Sequence, residues 1–277
     1  MYWRCQDRFF DLTRPIVMGI LNVTPDSFSD GDRYSSTEAA LTRAAQLITE
    51  GAAIIDVGGE STRPGAEAVP TALELERVLP VIKGIAASFN VAISIDTSKP
   101  EVMEAALAAG ACIINDVYAL RAQGAREVAA KSRAGVVLMH MQGEPRTMQD
   151  SPRYEDVVGE VLQFLQAQRE ASLAAGIGAD AIAVDPGFGF GKQLPHNLAL
   201  LKQLARFSSL KAPLLVGVSR KNVIGKILGR GVNDRLYGGL GLAALAVAYG
   251  ARIIRTHDVA ATRDAIGTVT AVLQGHP

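Results

Sequence analysis

The chain has 277 residues, of which 48% are hydrophobic and 5% aromatic, so its core must be built mainly from Ala, Val, Ile and Leu. The 28 Lys and Arg residues balance the 28 Asp and Glu residues, which argues against nucleic acid or an anionic membrane as a partner. The N-terminal segment has no apolar stretch of the signal-peptide kind, and the first apolar run is too short to span a bilayer, so we expect a soluble cytoplasmic protein.

Eight short apolar runs rich in β-branched residues alternate with stretches of helical period. The runs occupy residues 16–21, 53–57, 91–95, 112–114, 135–139, 181–184, 213–218 and 252–256. A strand followed by a helix, repeated eight times, is typical of an α/β TIM barrel, and the chain length suits a single domain of this kind. A doubly wound sheet is the alternative, but no Gly-x-Gly-x-x-Gly turn follows the first strand. We therefore predict one TIM (β/α)8 barrel domain over residues 1–277.

Capping residues predict where several helices begin and end. The first helix is predicted to begin at Ser35 and to end before Gly51. A Ser98–Glu101 capping box should begin the helix of the third unit, and Pro80 should kink or split the helix of the second unit. Three connections are expected to be mobile, at about residues 22–36, 58–70 and 140–152.

Polar residues follow the strand runs directly, and in a parallel barrel the carboxyl ends of all strands lie at one mouth. A single polar strand end is usually a helix cap, but eight in register favour a lined pocket. The residues are Asn22, Asp56, Asp96, Asn115 with Asp116, His140, Asp185, Ser219 with Lys221, and Arg255 with His257. We therefore expect the active site at this mouth.

Four of these residues match the hydrogen-bonding groups of a flat heterocycle with ring nitrogens, an amino group and a carbonyl. Asp96 and Asp185 supply carboxylates, Asn115 supplies an amide, and Lys221 supplies an ammonium group. For the two aspartates, the alternative is helix N-capping.

Arg255 and His257 alternate on the last strand, so both side chains can reach the mouth on one face. Together with Asn22 and Arg63 they resemble an anion site of the kind that barrels place near their final strands.

The glycine-rich segment 187–191 does not match a nucleotide-binding loop. Three residues separate Gly187 from Gly191, where a Walker loop has four, and Gln193 stands where Ser or Thr should follow the lysine. We predict a tight backbone turn beneath Phe190 that lets this ring stack on a substrate.

Seven segments together closely resemble the dihydropteroate synthase family of bacterial folate biosynthesis. They are MGILNVTPDSFSDG (18–31), DVGGESTRPGA (56–66), ISIDTSKPEV (93–102), IIND (113–116), DPGFGFGK (185–192), VGVSRK (216–221) and IIRTHDV (253–259). The resemblance implies a transferase that joins p-aminobenzoate to (7,8-dihydropterin-6-yl)methyl diphosphate, releases diphosphate, uses Mg2+ and is inhibited by sulfonamides.

The resemblance also implies roles for individual residues. The pterin would be bound by Asp96, Asn115, Val117, Met139, Asp185, Phe190, Gly217 and Lys221. The diphosphate would be bound by Asn22, Arg63, Arg255 and His257, with Asn22 as the magnesium ligand. The p-aminobenzoate site would consist of Phe28, Thr62, Arg63, Pro64, Phe190 and Ser219.

Asp96, Lys221 and Arg255 would be the catalytic residues. The implied mechanism is dissociative: the leaving charge is stabilised near Arg255, and Asp96 stabilises the cationic pterin methylene. The chain departs from the family pattern at Asp32, where a glycine is usual, and at Tyr118, where smaller or polar residues are usual.

Two alternatives remain. A corrinoid-system methyltransferase with a related pterin barrel would share the pterin pocket but should lack both substrate loops and the Arg-x-His pair. A non-catalytic pterin-binding paralogue should have lost some of the anion ligands, whereas this chain keeps them. The apolar stretch 238–251 is expected to be a helix buried on most sides or a dimer interface, and we expect a homodimer.

Overall fold

A computed structural model describes residues 1–24, 33–61, 65 and 68–276 of the chain. Within these residues, eight parallel strands form a single sheet that curves into a nearly closed barrel. They are β3 (Ile16–Asn22), β4 (Ile54–Gly58), β5 (Ala92–Asp96), β6 (Ile113–Asp116), β7 (Gly135–Met139), β8 (Ile182–Asp185), β9 (Leu215–Gly217) and β10 (Ile253–Thr256). The predicted TIM barrel is confirmed, and the strand bounds lie close to the predicted apolar runs.

The strands follow one another around the sheet in the order β8, β7, β6, β5, β4, β3, β10, β9. Between the two ends of this order, the Val184 amide donates a 2.9 Å hydrogen bond to the Pro213 carbonyl, and Val184 bridges Leu214 in parallel. All residues of β4 and β7 are buried, as expected for strands covered by helices outside and side chains inside.

Nine helices occur in the described part of the chain, most of them on the connections between barrel strands. They are α1 (Arg33–Thr49), α2 (Thr71–Ser88), α3 (Pro100–Ala108), α4 (Ala125–Ser132), α5 (Val157–Ala174), α6 (Leu194–Lys202), α7 (Asn222–Leu228), α8 (Leu236–Ala248) and α9 (Val259–Gln274). None of the helices within the described ranges is both long enough and apolar enough to cross a membrane.

Helix boundaries partly match the predictions. Helix α1 ends as predicted before Gly51, whose φ of 101° is the left-handed conformation that glycine adopts without strain. Helix α2 runs through Pro80 without a break, so the predicted split is wrong; Pro80 lies on the exposed side, where water can replace the missing hydrogen bond. The Ser98–Glu101 capping box is also wrong, because Lys99 is the N-cap of α3 and no side chain caps it.

Helix α8 is less buried than the sequence predicted. Only Ala243, Ala246 and Val247 are buried in it, whereas the Tyr237 side chain is 83% exposed and Leu245 is 45% exposed. The prediction of a helix buried on most sides is therefore wrong, because one apolar face of α8 points away from the barrel.

An N-terminal antiparallel hairpin was not predicted. Strands β1 (Tyr2–Cys5) and β2 (Arg8–Asp11) form it, and the buried indole of Trp3 donates a 2.9 Å hydrogen bond to the Ala181 carbonyl. Trp3, Cys5 and Leu12 pack in one apolar cluster with residues of all eight barrel strands. The hairpin thus closes one end of the barrel and leaves the opposite mouth for the site.

Candidate active site

The strand register places three predicted site residues, Asn22, Asp96 and Asn115, in one row together with Gly58. Asn22 on β3 pairs with Gly58 on β4, Gly58 pairs with Asp96 on β5, and Asp96 pairs with Asn115 on β6. All four positions lie at the carboxyl ends of their strands, where barrels bind their substrates.

Arg255 on β10 connects this row to the opposite side of the mouth. Its Nε donates a 2.6 Å hydrogen bond to Asp56 Oδ2, and its Nη2 donates a 2.6 Å hydrogen bond to Asp96 Oδ2. Asp56 Oδ2 also accepts a 3.1 Å hydrogen bond from the Asn115 amide. Asp56, which was not assigned to a ligand from the sequence, therefore orients both Arg255 and Asn115.

The electrostatic environment of the Asp96 carboxylate is strongly perturbed. Burial raises the pKa of Asp96 to about 7, and the neighbouring Arg255 charge opposes this shift. For Arg255, burial acts to lower the pKa, but the Asp56 and Asp96 carboxylates outweigh it and the net shift is upward. Asp96 Oδ1 is buried and has no hydrogen-bond partner among the described residues, so its capacity to accept a hydrogen bond is unsatisfied.

Lys221 and Asp185 form the second polar group of the mouth. The Lys221 ammonium donates to the Phe188 carbonyl and lies 4.7 Å from the centroid of the Phe190 ring. Burial lowers the pKa of Lys221 to about 8, and Asp185 opposes this shift. Burial also raises the pKa of Asp185, whose Oδ1 accepts a 2.7 Å hydrogen bond from the Gly187 amide.

An apolar cluster forms one wall beside these groups. The predicted wall residues Val117 and Met139 are buried in it, and Phe190 packs against it. Met141 and Met148, which the sequence did not single out, belong to the same cluster, and Tyr118 packs against it. Gly217, expected to contact the pterin, has room for a Cβ, whose nearest neighbour would be Arg255 Cβ at 3.6 Å.

Ser219 and His257 are in direct contact, although the sequence assigned them to different ligands. Ser219 Oγ lies 3.1 Å from His257 Nδ1 and accepts a 3.2 Å hydrogen bond from the His257 backbone amide. The expected p-aminobenzoate and diphosphate sites therefore share a hydrogen bond.

Two polar strand ends are not available to a substrate. The Asp116 carboxylate accepts hydrogen bonds from the amides of Tyr118 (2.8 Å) and Leu120 (2.7 Å) and stabilises the turn after β6. His140 is 6% exposed and contacts buried Lys192 at 2.9 Å. The expectation that every polar strand end lines the pocket is therefore wrong for these two.

The turn predicted beneath Phe190 is confirmed. Gly187 has a φ of 70°, and a Cβ there would lie 1.9 Å from the His140 carbonyl oxygen. Gly191 has a φ of 60°, and its Cβ would lie 2.3 Å from the Gln142 carbonyl oxygen. The backbone can follow this path only with glycine at both positions.

Four predicted p-aminobenzoate ligands lie outside the described residues. They are Phe28, Thr62, Arg63 and Pro64. One of them, Arg63, is also a predicted diphosphate ligand. Asp32 lies outside the described residues as well. At the described start of the second loop, Glu60 accepts a 3.2 Å hydrogen bond from the Val69 amide and forms an ion pair with Lys99. Lys99 also contacts the buried Glu74, and sequence reasoning missed this group, whose members are far apart in the chain.

Oxygen ligands converge beside Gly58. A Cβ at Gly58 would lie 3.8 Å from Asn22 Oδ1 and 3.7 Å from Asp96 Oδ2, so the missing side chain leaves space between the two oxygens. Oxygen atoms of this type are the ligands that Mg2+ prefers. Across the described ranges, no group of three or more His, Cys, Asp or Glu residues is arranged to hold a metal ion.

Comparison with known proteins identifies the family of the chain. The model of the pterin binding enzyme family matches residues 18–257. Dihydropteroate synthase of Escherichia coli K12 is 52% identical over 268 residues, which cover 97% of this chain and 95% of that protein.

Solved structures agree as well. Yersinia pestis dihydropteroate synthase, solved with a sulfonamide drug complex, is 46% identical with a TM-score of 0.94, covering 99% of this chain and 100% of that one. Xanthomonas albilineans dihydropteroate synthase, solved with 4-aminobenzoic acid, is 49% identical with a TM-score of 0.93, covering 100% of this chain and 99% of that one. The chain therefore belongs to the pterin-binding enzymes and, within them, to the dihydropteroate synthases.

Proposed function

We propose that the mouth of the barrel carries out the dihydropteroate synthase reaction through its buried charge network. The enzyme condenses p-aminobenzoate with (7,8-dihydropterin-6-yl)methyl diphosphate and releases 7,8-dihydropteroate and diphosphate. The observation that carries the residue assignment is the network in which Arg255 joins Asp56 and Asp96 at 2.6 Å each. Asn115 is tied to the same network through Asp56.

Pterin recognition is assigned to the polar groups and the apolar wall together. The ring system has donors and acceptors along its edge, which suit Asn115, Asp185 and the free oxygen of Asp96. Lys221 is aligned by the Phe188 carbonyl and lies over the Phe190 ring. Val117 and Met139 supply the apolar wall, and Gly217 has no side chain to obstruct the ring.

Bond cleavage is assigned to electrostatic stabilisation. The leaving diphosphate takes up negative charge, for which Arg255, His257, Asn22 and Arg63 are the proposed ligands. The pterin methylene becomes cationic at the same time, and the Asp96 carboxylate stabilises it. p-Aminobenzoate presents a neutral arylamine that is already nucleophilic, so the attack needs no general base. The nitrogen becomes an ammonium when the C–N bond forms and then releases one proton to solvent or to the departing diphosphate.

Mg2+ fits the oxygen ligands beside Gly58. Asn22 Oδ1 would hold the ion together with oxygens of the diphosphate, in the space that the Gly58 hydrogen leaves free. When bound, the ion supplies positive charge that offsets the charge of the leaving group.

The p-aminobenzoate site is assigned to Ser219 and Phe190, with Phe28, Thr62, Arg63 and Pro64 from the two loops. The Xanthomonas albilineans and Yersinia pestis relatives support this assignment, because they were solved with 4-aminobenzoic acid and with a sulfonamide drug complex. Sulfonamides should therefore compete with p-aminobenzoate for this chain. The expected location of this protein in the cytoplasm stays a prediction.

A homodimer is the proposed assembly, with α8 and α9 as the interface. Large apolar side chains are exposed on these helices: Tyr237 by 83%, Leu245 by 45%, Val272 by 77% and Leu273 by 59%. Exposed apolar side chains grouped on two neighbouring helices are typical of an interface between subunits. Helices α8 and α9 pack against each other, so the residues lie on one side of the barrel.

Assay of the purified chain tests the proposal. Dihydropteroate formation from p-aminobenzoate and the pterin diphosphate should depend on both substrates and should be lost in Arg255→Met. Lys211→Met is the control, because Lys211 is exposed and lies on the connection before β9. Methyl transfer from methyltetrahydrofolate without dihydropteroate formation would favour the corrinoid alternative, and pterin binding without either product would favour a non-catalytic paralogue.

A further inference from the structure

Lys192 is buried next to the proposed pterin site without belonging to it. The residue is 3% exposed, and its Nζ lies 2.9 Å from each of three acceptors: His140 Nδ1, the Gly187 carbonyl and the Phe190 carbonyl. The His140 carbonyl lies 3.2 Å away. In either protonation state of the lysine, its N–H groups have acceptors, because three carbonyl oxygens surround the nitrogen.

His140 takes part in this cluster as a neutral ring. Burial, aided by the Lys192 charge, lowers the pKa of His140 to about 2, so the imidazole carries no charge at neutral pH. Its ring also packs edge-on against Phe164, with the ring centroids 4.9 Å apart. Lys192 therefore connects the end of β7 to the turn that follows β8.

Further side chains hold the same turn. Buried Asn197 accepts a 2.7 Å hydrogen bond from the Gly189 amide and donates a 3.1 Å hydrogen bond to the Lys192 carbonyl. The Tyr154 hydroxyl donates a 2.8 Å hydrogen bond to the Gly191 carbonyl. The turn is thus held at Gly189, Gly191 and Lys192 by two side chains that are not among the proposed substrate ligands.

Three proposed pterin ligands depend on this turn. Phe190 is part of it, and the Phe188 carbonyl accepts the hydrogen bond of the Lys221 ammonium. The Gly187 amide donates to the Asp185 carboxylate at 2.7 Å. A change in the path of the turn would therefore move an aromatic wall, a cation and a carboxylate together.

We propose that Lys192 is a positioning residue for the pterin site. By tying the Gly187 and Phe190 carbonyls to His140, it holds Phe190 and Lys221 where they contact the pterin. This inference rests on the proposed function, because it takes Phe190 and Lys221 as pterin ligands. Positioning through side chains that never touch the substrate affects affinity and orientation strongly when an active site must be preorganised.

Kinetics of Lys192 variants give the first test. Lys192→Met removes every hydrogen-bond donor of the side chain. Lys192→Gln keeps an amide that can donate to some of the three carbonyl oxygens, so it should destabilise the fold less. Both should raise the KM for the pterin diphosphate by about tenfold or more, a change typical of a displaced binding group. Lys202→Met is the matched control, because Lys202 is exposed on the adjacent helix α6, and its KM should equal that of the unmodified enzyme.

A double-mutant cycle separates positioning from general destabilisation. If Lys192 acts through Phe190, then Lys192→Gln combined with Phe190→Leu should raise KM no more than the larger single change does. The KM of the double variant should therefore be at least roughly fivefold lower than the value expected if the two changes acted independently. Lys192→Gln combined with Ser219→Ala should instead give the product of the two single effects on kcat/KM.

An unchanged pterin KM in both Lys192 variants would contradict the proposal directly, and two further results would also overturn it. If Lys192→Gln and Phe190→Leu change the pterin KM independently of each other, Lys192 stabilises the fold but does not position Phe190. An unchanged pterin KM in Phe190→Leu would remove Phe190 from the pterin site and the inference with it. That second result is distinguishable from a wrong function, because the unmodified chain would still form dihydropteroate.

Discussion

The Arg255 guanidinium lies between two carboxylates and holds Asp96 at 2.6 Å through Nη2. Its Nε is bound to Asp56 at the same distance, so two of its nitrogen atoms are already engaged. A diphosphate that binds Arg255 must use its remaining N–H groups or draw it away from Asp96. If the diphosphate draws Arg255 away, we expect the Arg255–Asp96 pair to weaken and the Asp96 carboxylate to become available to the cationic pterin methylene.

Asp96→Asn should reduce turnover far more than it weakens pterin binding, because a carboxylate that faces a developing cation acts mainly in the transition state. Loss of a charged hydrogen bond of about 1.5–3 kcal/mol corresponds to a decrease in kcat of roughly 10- to 150-fold. Steady-state kinetics measure kcat and the pterin KM separately. Asp264→Asn, on the exposed side of α9, should leave both unchanged. A raised KM with normal kcat would make Asp96 a ground-state ligand only.

The pH profile of kcat/KM should be bell-shaped. Asp96 is active as the carboxylate, so activity is lost as the pH falls through its pKa of about 7. Lys221 is active as the ammonium form, so activity is lost as the pH rises through its pKa of about 8. Lys221→Arg should keep the acid limb and remove the alkaline limb, because arginine stays protonated. An alkaline limb that persists in this variant would assign the second ionisation to another group.

Much of the fold follows from the sequence because parallel strands buried on both faces appear as continuous apolar runs. The β4 run and the β7 run were predicted to within one residue for this reason. The β1–β2 hairpin was missed, since its short strands are stabilised by the packing of Trp3 and Cys5 under the barrel, which no local pattern encodes. The sequence could not decide between a kink and a split at Pro80, because the tolerance of a proline depends on which side of α2 faces solvent.

The sequence predicted which strand ends form the site, but it did not predict which of their side chains form hydrogen bonds and ion pairs with one another. The sequence places Asp56 and Arg255 at the same mouth, but they are 199 residues apart, and only the strand order brings the pair together. His140 appeared as one more pocket residue, whereas its partner Lys192 lies behind the pocket. The direction of a side chain at a strand end decides whether it contacts substrate or supports the pocket, and residue spacing predicts that direction only within a regular strand and not in the turn that follows it.

Removal of divalent ions should abolish turnover. The argument rests on Asn22 Oδ1 and the Asp96 carboxylate on either side of the Gly58 Cβ position, where a cation would bridge protein and diphosphate. Excess chelator should stop dihydropteroate formation, and added Mg2+ should restore it. Asn22→Ala should raise the Mg2+ concentration required for half-maximal rate by about tenfold. Full activity in excess chelator would exclude this role.

Charge on the exposed face of α8 should dissociate the proposed dimer. Tyr237→Glu places a carboxylate on an 83% exposed position in the apolar surface, where burial against a second copy would be costly. Sedimentation velocity should show a dimer for the unmodified chain and a tenfold or larger rise in the dissociation constant, about 1.4 kcal/mol, for the variant. Tyr2→Glu is the control, since Tyr2 is 64% exposed on the hairpin. A monomer in the unmodified protein would refute the assembly.

Binding should be ordered, with p-aminobenzoate binding appreciably only after pterin and diphosphate. Ser219 Oγ is engaged with His257 at 3.1 Å, so the proposed p-aminobenzoate ligand is held by a proposed diphosphate ligand. A diphosphate that draws His257 away frees the hydroxyl and favours the second substrate. This positive coupling must be reciprocal, because it is a difference in free energy between two sites.

Calorimetric titration measures the coupling directly. p-Aminobenzoate is titrated into the enzyme alone and into enzyme saturated with pterin, diphosphate and Mg2+. Affinity should rise by roughly 5- to 150-fold in the second titration, the usual range of coupling between sites. Ser219→Ala lacks the shared hydroxyl, so the ratio of the two affinities should shrink in this variant even if p-aminobenzoate binds more weakly throughout. Equal affinities in the unmodified enzyme would show that the second site is complete before diphosphate binds and that the Ser219–His257 contact does not link the two sites.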